Sequence, residues 1–300
     1  MMCGVARRRV ATVALSADMS MRPDPAAMRW LIGVELARHR RDAGLSLAQV
    51  SAATGIGRPK LGHMETGLYR QHADDISTVL GAYGVPSEDI ARVAALAGHA
   101  NARTWWAPWE SAIPEWMRTM VGLEGMAERE FLFEPLVIPG LLQTEDYALA
   151  LTQAAVIVRP DRRERVVSFR RERAARLTAH EPLDLHVVIG EAALGLSVGD
   201  EPARRHQLEH LIRMAQQPNV AIQVIRPEGG SHGALAVGQF MALKLPETRP
   251  VVYVELLDGA CYIHEPDLVT TYTMVADTLR QVALSPAESL ALIKGLVSAA

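Results

Sequence analysis

The chain has 300 residues, 49% hydrophobic and 22% charged, with only two cysteines, Cys3 and Cys261. That composition suits a soluble globular protein long enough for two domains, and it excludes a disulfide framework or a cysteine-rich zinc site. No apolar run reaches the roughly 18 residues that a membrane-spanning helix needs. A net charge of −3 conceals a division: residues 1–72 hold 11 Arg/Lys against 5 Asp/Glu, and the remainder 20 against 29. A basic head on an acidic body is the footprint of a protein whose head meets a polyanion. So few cysteines suit a reducing compartment, and a cytoplasmic protein is expected.

Arg7-Arg8-Arg9 followed by Val10–Ala17 imitates a secretory signal, but the apolar stretch is short and lacks a clean small-x-small cleavage site. Residues 1–27 are expected to be a disordered arm. It is either an over-long gene start, given Met19, Met21 and Met28, or a flexible basic arm on DNA. Residues 28–98 read as five short helices punctuated by Gly44, Gly55, Gly67, Gly84 and Gly98, with Ser46 and Ser87 as N-terminal signals. Residues 99–130 read as a Trp-rich connector with a helix across 111–129. From 131 to 300 the pattern is mixed. Strands are expected at 131–138, 183–189, 220–225, 240–245, 251–257 and 261–264, and helices at 144–157, 160–178, 202–216, 266–282 and 286–298. The fold class is therefore an all-α head followed by an α+β domain.

The head carries the most specific signal. Leu45–Gly67 meets the demands of a helix-turn-helix: Ser51 as a small residue where helices cross, Gly55 for positive φ in the turn, and Val50, Ile56, Leu61 and Met64 to seal the angle. The second helix of such a unit projects its N-terminal side chains into the major groove. Arg58 and Lys60 stand there, with His63 one turn on. Arg58 is the first candidate for reading a base, because its guanidinium matches guanine O6 and N7. Arg38, Arg41, Tyr69 and Arg70 are candidate phosphate contacts, which position a domain without specifying sequence. The plainer reading of each basic residue is a solvated surface charge.

The spacing Leu47-x-x-Val50-Ser51-x-x-Thr54-Gly55-Ile56 followed by Leu61-x-x-Met64-Glu65-x-Gly67 resembles the Xre-type, lambda-repressor-like helix-turn-helix. The resemblance implies a structural ion pair between Arg40 and Glu65, and it departs from the family pattern at Leu47, where a Gln is common, and at Gly57–Pro59. The remainder resembles the antitoxin-like (WhiJ-like) C-terminal domain of unknown function found in actinomycete regulators. The matching residues are Trp105-Trp106, Phe133-Glu134, Ile138-Pro-Gly-Leu-Leu-Gln-Thr-Glu-Asp-Tyr147, Arg170-Arg171 and Glu191–Leu194, the last preceded by Gly190 where an Asp is common.

Three patterns imitate catalysis. Gly229-Gly-Ser231-His-Gly233 matches a nucleophile elbow, yet a strand and not a helix is expected after it, which favours a loop. His206-Gln-Leu-Glu-His210 matches an inverted zinc-peptidase motif, but both histidines fall opposite the apolar stripe of their helix. Glu191, Glu255 and His264 are pocket candidates that read more simply as structural. The seven arginines across 162–176 form a basic helix face, either solvated or extending an interaction surface. No cofactor, metal or enzymatic activity is expected. The expected function is a sequence-specific DNA-binding transcriptional regulator, dimeric so that paired half-sites multiply specificity. Its second domain would sense a ligand or bind a small protein encoded nearby. The alternatives are an antitoxin-like protein whose main role is to hold a partner, and a hydrolase targeted by its head.

Overall fold

The computed structural model describes Arg22 and residues 24–99, 104–246 and 248–299. The first helix, α1 (Pro25–Asp42), opens on a capping signal: the Asp24 carboxylate accepts from the Ala26 and Ala27 amides at 2.9 Å, and proline takes the first helical position. Asp24 and Ala27 are fully buried. The disordered arm expected over 1–27 therefore does not include 24–27, because these residues cap and begin a packed helix. Its other residues, Arg22 apart, lie outside those described.

Next come α2 (Leu47–Thr54), α3 (Arg58–Thr66), α4 (Ala73–Ala82) and α5 (Ser87–Leu96). Ser46 and Gln49 form a reciprocal capping box at the start of α2, and Gly55 ends it at φ 73°. Val50, Leu61 and Met64 are buried together with Ile32 and Leu36 of α1. The closest helix approach is between α1 and α3 rather than at Ser51. A Cβ on Gly33 would stand 2.5 Å from the Glu65 carbonyl oxygen, and one on Gly67 2.8 Å from the Arg29 carbonyl oxygen. Buried Gln71 locks this crossing by donating its amide to the carbonyls of Arg29 (2.9 Å) and Met64 (2.8 Å).

The Trp-rich segment is no mere connector. Trp106, Ile113, Met120 and Leu123 are buried in the core of the second domain, which also takes in α6 (Glu115–Met126). The apolar content of the segment is the reason, since that much indole and aliphatic surface is stable only when covered. The domain continues through β1 (Arg129–Glu134), α7 (Glu145–Ala154), α8 (Arg163–Ala174), β2 (Asp184–Gly190), α9 (Glu191–Gly195) and α10 (Glu201–Met214). It ends with β3 (Val220–Ile225), β4 (Phe240–Lys244), β5 (Val251–Glu255), β6 (Ala260–Ile263), α11 (Pro266–Val282) and α12 (Pro286–Ala299). The six-stranded sheet has the order β3-β2-β1-β4-β5-β6; β1, β2 and β3 are parallel and the other pairings antiparallel.

Both faces of the sheet are covered. Leu132, Val187, Ile222, Met241 and Tyr253 face the core under α6, α10 and α12, while Phe131, Phe133, Val188, Phe240 and Val252 face the core under α11. This alternation is the strand period of two. β1 begins two residues earlier than expected and stops at Pro135, whose carbonyl oxygen would lie 2.2 Å from a Cβ on Gly190. Glycine at 190 is thus sterically required. Gly33→Ala should destabilise the fold by about 1–3 kcal/mol, because its methyl meets backbone that cannot rotate away; urea denaturation of the full chain measures this.

Candidate nucleic-acid interface and interior cavity

Helix α3 begins at Gly57 without a side-chain cap, and Arg58, Pro59 and Lys60 of its first turn are exposed. A helix start leaves its first amides without intrahelical partners, and here a basic, exposed turn surrounds those of Arg58 and Lys60, Pro59 having none. Among the described residues Arg58 has no ion pair or hydrogen bond, which leaves all its donors free. Lys60 is held by Asp75 at 2.7 Å. The His63 and Tyr69 rings meet edge to face at 4.8 Å. Lys60, His63, Tyr69 and Arg70 line one shallow concavity with His72, a residue the sequence did not single out.

The remaining candidates lie elsewhere. Arg38 is folded back onto its own helix, bound to Glu35 at 2.7 Å and Asp42 at 3.2 Å, with its side chain only 16% exposed. Arg41 is exposed, but it stands near His264 and Glu265 of the second domain and helps hold Glu265 below the usual carboxylate range, beside backbone hydrogen bonds and His264 that offset its desolvation. Arg38 must break ion pairs to reach a phosphate, and exposed Arg41 stands within electrostatic range of the second domain. Arg40 meets Glu65 in a two-point contact, Nε to Oε1 at 2.6 Å and Nη2 to Oε2 at 2.9 Å, and also donates to the Leu45 carbonyl at 2.8 Å. The bonded Glu65 carboxylate raises the Arg40 pKa. This fork ties α1 to the last turn of α3 and so sets the pose of its exposed first turn.

A second site is a half-open cleft in the α/β domain. A cavity of about 210 Å³ is bounded by β1, β5, α6, α8 and the turn Val137–Gln143, within the stretch that carries the resemblance to the WhiJ-like domain. Strand alternation places Glu130, Leu132 and Glu134 on its floor, with Tyr253 and Glu255 beside them. Glu130 is 1% exposed, and neither carboxylate oxygen has a hydrogen-bond partner among the described residues. Burial, then neighbouring Glu124, pushes its pKa well up against the pull of Arg173. Burial likewise lifts Glu134 to about 7, against the Leu136 and Val137 amides that bond it.

The arginines of and beside α8 divide: Arg162, Arg165 and Arg171 are exposed, while Arg170, Arg173 and Arg176 turn inward. Arg173 is buried and paired with Glu124, its Nε donating to Oε1 at 2.9 Å. Arg170 turns inward and donates from Nη1 to Gln143 Oε1 (3.1 Å), Thr152 Oγ1 (3.2 Å) and the Ala148 carbonyl (3.5 Å). Of the earlier pocket candidates only Glu255 lines the cavity. Glu191 is bound to Arg226 at 3.2 Å, and His264 packs edge-on against Trp30. Glu130 was missed because β1 was expected to start at 131, and Glu134 was named only among the residues that carry the resemblance. The signal was present: carboxylates two residues either side of Leu132, alternating with Phe131 and Phe133.

The catalytic patterns do not assemble. Ser231 lies between two short 3₁₀ turns with no α-helix behind it, as the loop reading expected. His206 is half exposed beside Asp146 at 3.6 Å, and among the described residues no group of three His, Cys, Asp or Glu is placed to hold a metal.

Fold and site together define a helix-turn-helix head joined to a mixed α/β domain. Residues 31–93 match a family model described as a helix-turn-helix domain. Residues 117–295, more than half of the chain, match the family described as a domain of unknown function (DUF5753), and the protein belongs to that family. Comparison with curated proteins and with solved structures returned no match.

Two outcomes are expected here. Arg40→Ala should cost about 1–3 kcal/mol, since it strands a partly buried carboxylate, and Arg40→Lys should recover only part of this because an ammonium cannot form the fork; thermal denaturation measures both. Glu134 releases its proton near the ordinary 4.5 when unfolded and near 7 when folded. The folded state holds more protons between those values, so stability falls as pH rises through them. Glu134→Gln should flatten that slope in urea titrations at several pH values.

Proposed function

We propose that this protein is a sequence-specific DNA-binding transcriptional regulator of the Xre, lambda-repressor-like type, acting in the cytoplasm as a homodimer. The observation that carries the reading is Arg58: exposed, unpaired among the described residues, and in the first turn of a helix whose pose is fixed by Gly33, Gln71 and the Arg40–Glu65 fork. Arg58 reads a base edge. Lys60, His63, Tyr69 and Arg70 line the phosphate path beside it, Lys60 exchanging Asp75 for a phosphate at a partial loss. Arg38 and Arg41 are given no direct role at the duplex.

The second domain senses a ligand, and the cavity beneath α6 and α8 supports that reading. Leu235 and Met274, 67% and 65% exposed on contacting elements, favour a protein surface, either a second copy or a small antitoxin-like partner. No hydrolytic step is proposed, because Ser231 lacks the strand–turn–helix setting that would activate it.

A duplex selected from a randomised pool by the purified chain provides the test. Arg58→Ala should lose about 1–3 kcal/mol on the selected duplex and relax one position, with little change on random DNA. Arg70→Ala should weaken both alike and reduce the salt slope by about 1. Equal losses on both duplexes for Arg58→Ala would refute base reading.

A further inference from the structure

We propose that the cleft of the second domain binds a small aliphatic carboxylate, an organic monoanion whose charged group is taken by the Nε–Nη2 edge of Arg170 and whose hydrocarbon body lies against Met117, Met120 and Leu132. The inference rests on the second domain being a ligand sensor, and it names the class of ligand.

A guanidinium carries N–H donors side by side along the edge formed by Nε and Nη2, and that edge matches a carboxylate in a two-point contact. Arg40 presents it to Glu65, and Arg173 presents it to Glu124. At Arg170 the same edge has no hydrogen-bond partner among the described residues. All three bonds of Arg170 leave Nη1, and all go to neutral acceptors. Nη1 alone thus ties α8 to α7 and to Gln143. Arg170 is half-buried in the cleft wall, unlike Glu130, whose oxygens are covered. Burial, then neighbouring Arg173, lowers the Arg170 pKa, and Glu255 and Tyr147 offset this only in part. Its positive charge is under-compensated, which is the condition an anionic ligand relieves.

The other charges of the cleft limit how much negative charge it accepts. Arg173 is spent on Glu124. Burial holds the protons of Glu130 and Glu134 above the ordinary carboxyl range, Glu134 up to about 7. Glu255 is exposed, accepts from the Tyr253 hydroxyl at 3.3 Å and makes no ion pair with Arg170. One under-compensated guanidinium beside the Glu255 carboxylate suits a monoanion and disfavours a phosphate dianion. Shape narrows the class further. Met117 and Met120 are flexible thioethers that adapt to an alkyl chain. A cavity of about 150 Å³ holds benzene, so about 210 Å³ receives a six-carbon chain.

Helix α8 also reaches the head. Two residues beyond Arg170, Glu172 is gripped by Arg22, which donates from Nη1 to its carbonyl at 3.1 Å and pairs from Nη2 with its carboxylate at 3.0 Å. Asp24, two residues after Arg22, caps α1, and α1 holds α3 through Arg40. A ligand that repositions α8 therefore acts on the start of the helix that carries α3.

Calorimetric titration of the full chain with hexanoate, against n-hexylamine and 1-hexanol as isosteres, tests the proposal at about pH 6, where Glu134 keeps its proton and hexanoate stays ionised. Hexanoate should bind about tenfold more tightly than either isostere, and Arg170→Gln should weaken it by roughly 30-fold or more. Because Arg170→Gln also gives up the ties to Gln143 and Thr152, its melting is measured beside it, and Glu255→Gln is the second variant. Glu255→Gln keeps those ties and removes an exposed, repelling carboxylate, so it should tighten hexanoate several-fold and leave 1-hexanol unmoved. A chain that binds its selected duplex yet takes no hexanoate overturns the proposal and leaves the DNA-binding reading standing. Hexylamine or hexanol binding as tightly as hexanoate also overturns it. So does a Glu255→Gln that fails to tighten hexanoate, or a folded Arg170→Gln that binds it as wild type does. Duplex affinity that shifts with hexanoate supports the site and its coupling to the head. Hexanoate binding with duplex affinity unmoved supports the carboxylate site but rejects the sensor reading.

Discussion

Helix α1 belongs to two hydrophobic cores, and the relation between the domains depends on it. Ala27 and Leu31 are buried with α6 and the sheet, whereas Ile32 and Leu36, less than two turns further, are buried with α2, α3 and α4. An 18-residue helix is about 27 Å of stiff rod. Its near end is fixed by the Asp24 cap and by the Arg22 amide bonded to the Gly125 carbonyl at 2.9 Å. Its middle rests through Trp30 on Tyr262 and His264, and its far end grips α3 through Arg40. The recognition helix is thus held by one continuous element rather than by a loose linker.

Polar groups take up the places where the fold leaves close-packing incomplete. The Arg173–Glu124 pair is buried between α6 and α8, and Gln207 spans α10 and the turn before α7, accepting from the Thr144 amide and donating to the Leu142 carbonyl at 2.7 Å each. Such groups add little net stability compared with apolar replacements, but they specify how elements meet. Glu130 is different because it is buried without a hydrogen-bond partner among the described residues. A fold whose other rules agree breaks one at this carboxylate, and such breaks mark functional positions.

The head was largely legible in the chain. Ser46, Gly55, Gly67 and the apolar set Val50, Leu61 and Met64 act through local geometry, and their effect extends only a turn or two. The strands were legible because apolar alternation is also local, and α12 was announced by Ser285 and Pro286. Less legible were features that depend on distant partners. Nothing near Gly33 in sequence reveals the Glu65 carbonyl above it, and nothing near Arg170 or Arg173 reveals that α8 turns them inward to Gln143 and Glu124. The tryptophans at 105, 106, 109 and 116 read as a connector because their cover comes from Phe169 and other residues far along the chain.

By itself the sequence determined the class of the head, the order of helices and strands, and the place of Arg58 at the start of α3, because caps, turns and periodicity are encoded within a few residues. Tertiary structure alone decided that Arg38 is occupied, that Arg41 stands within electrostatic range of the second domain, and that Glu130 is buried with no hydrogen-bond partner among the described residues. Those outcomes are set by which side chains meet across the fold, and burial, which governs charge, arises only when segments distant in the chain pack together.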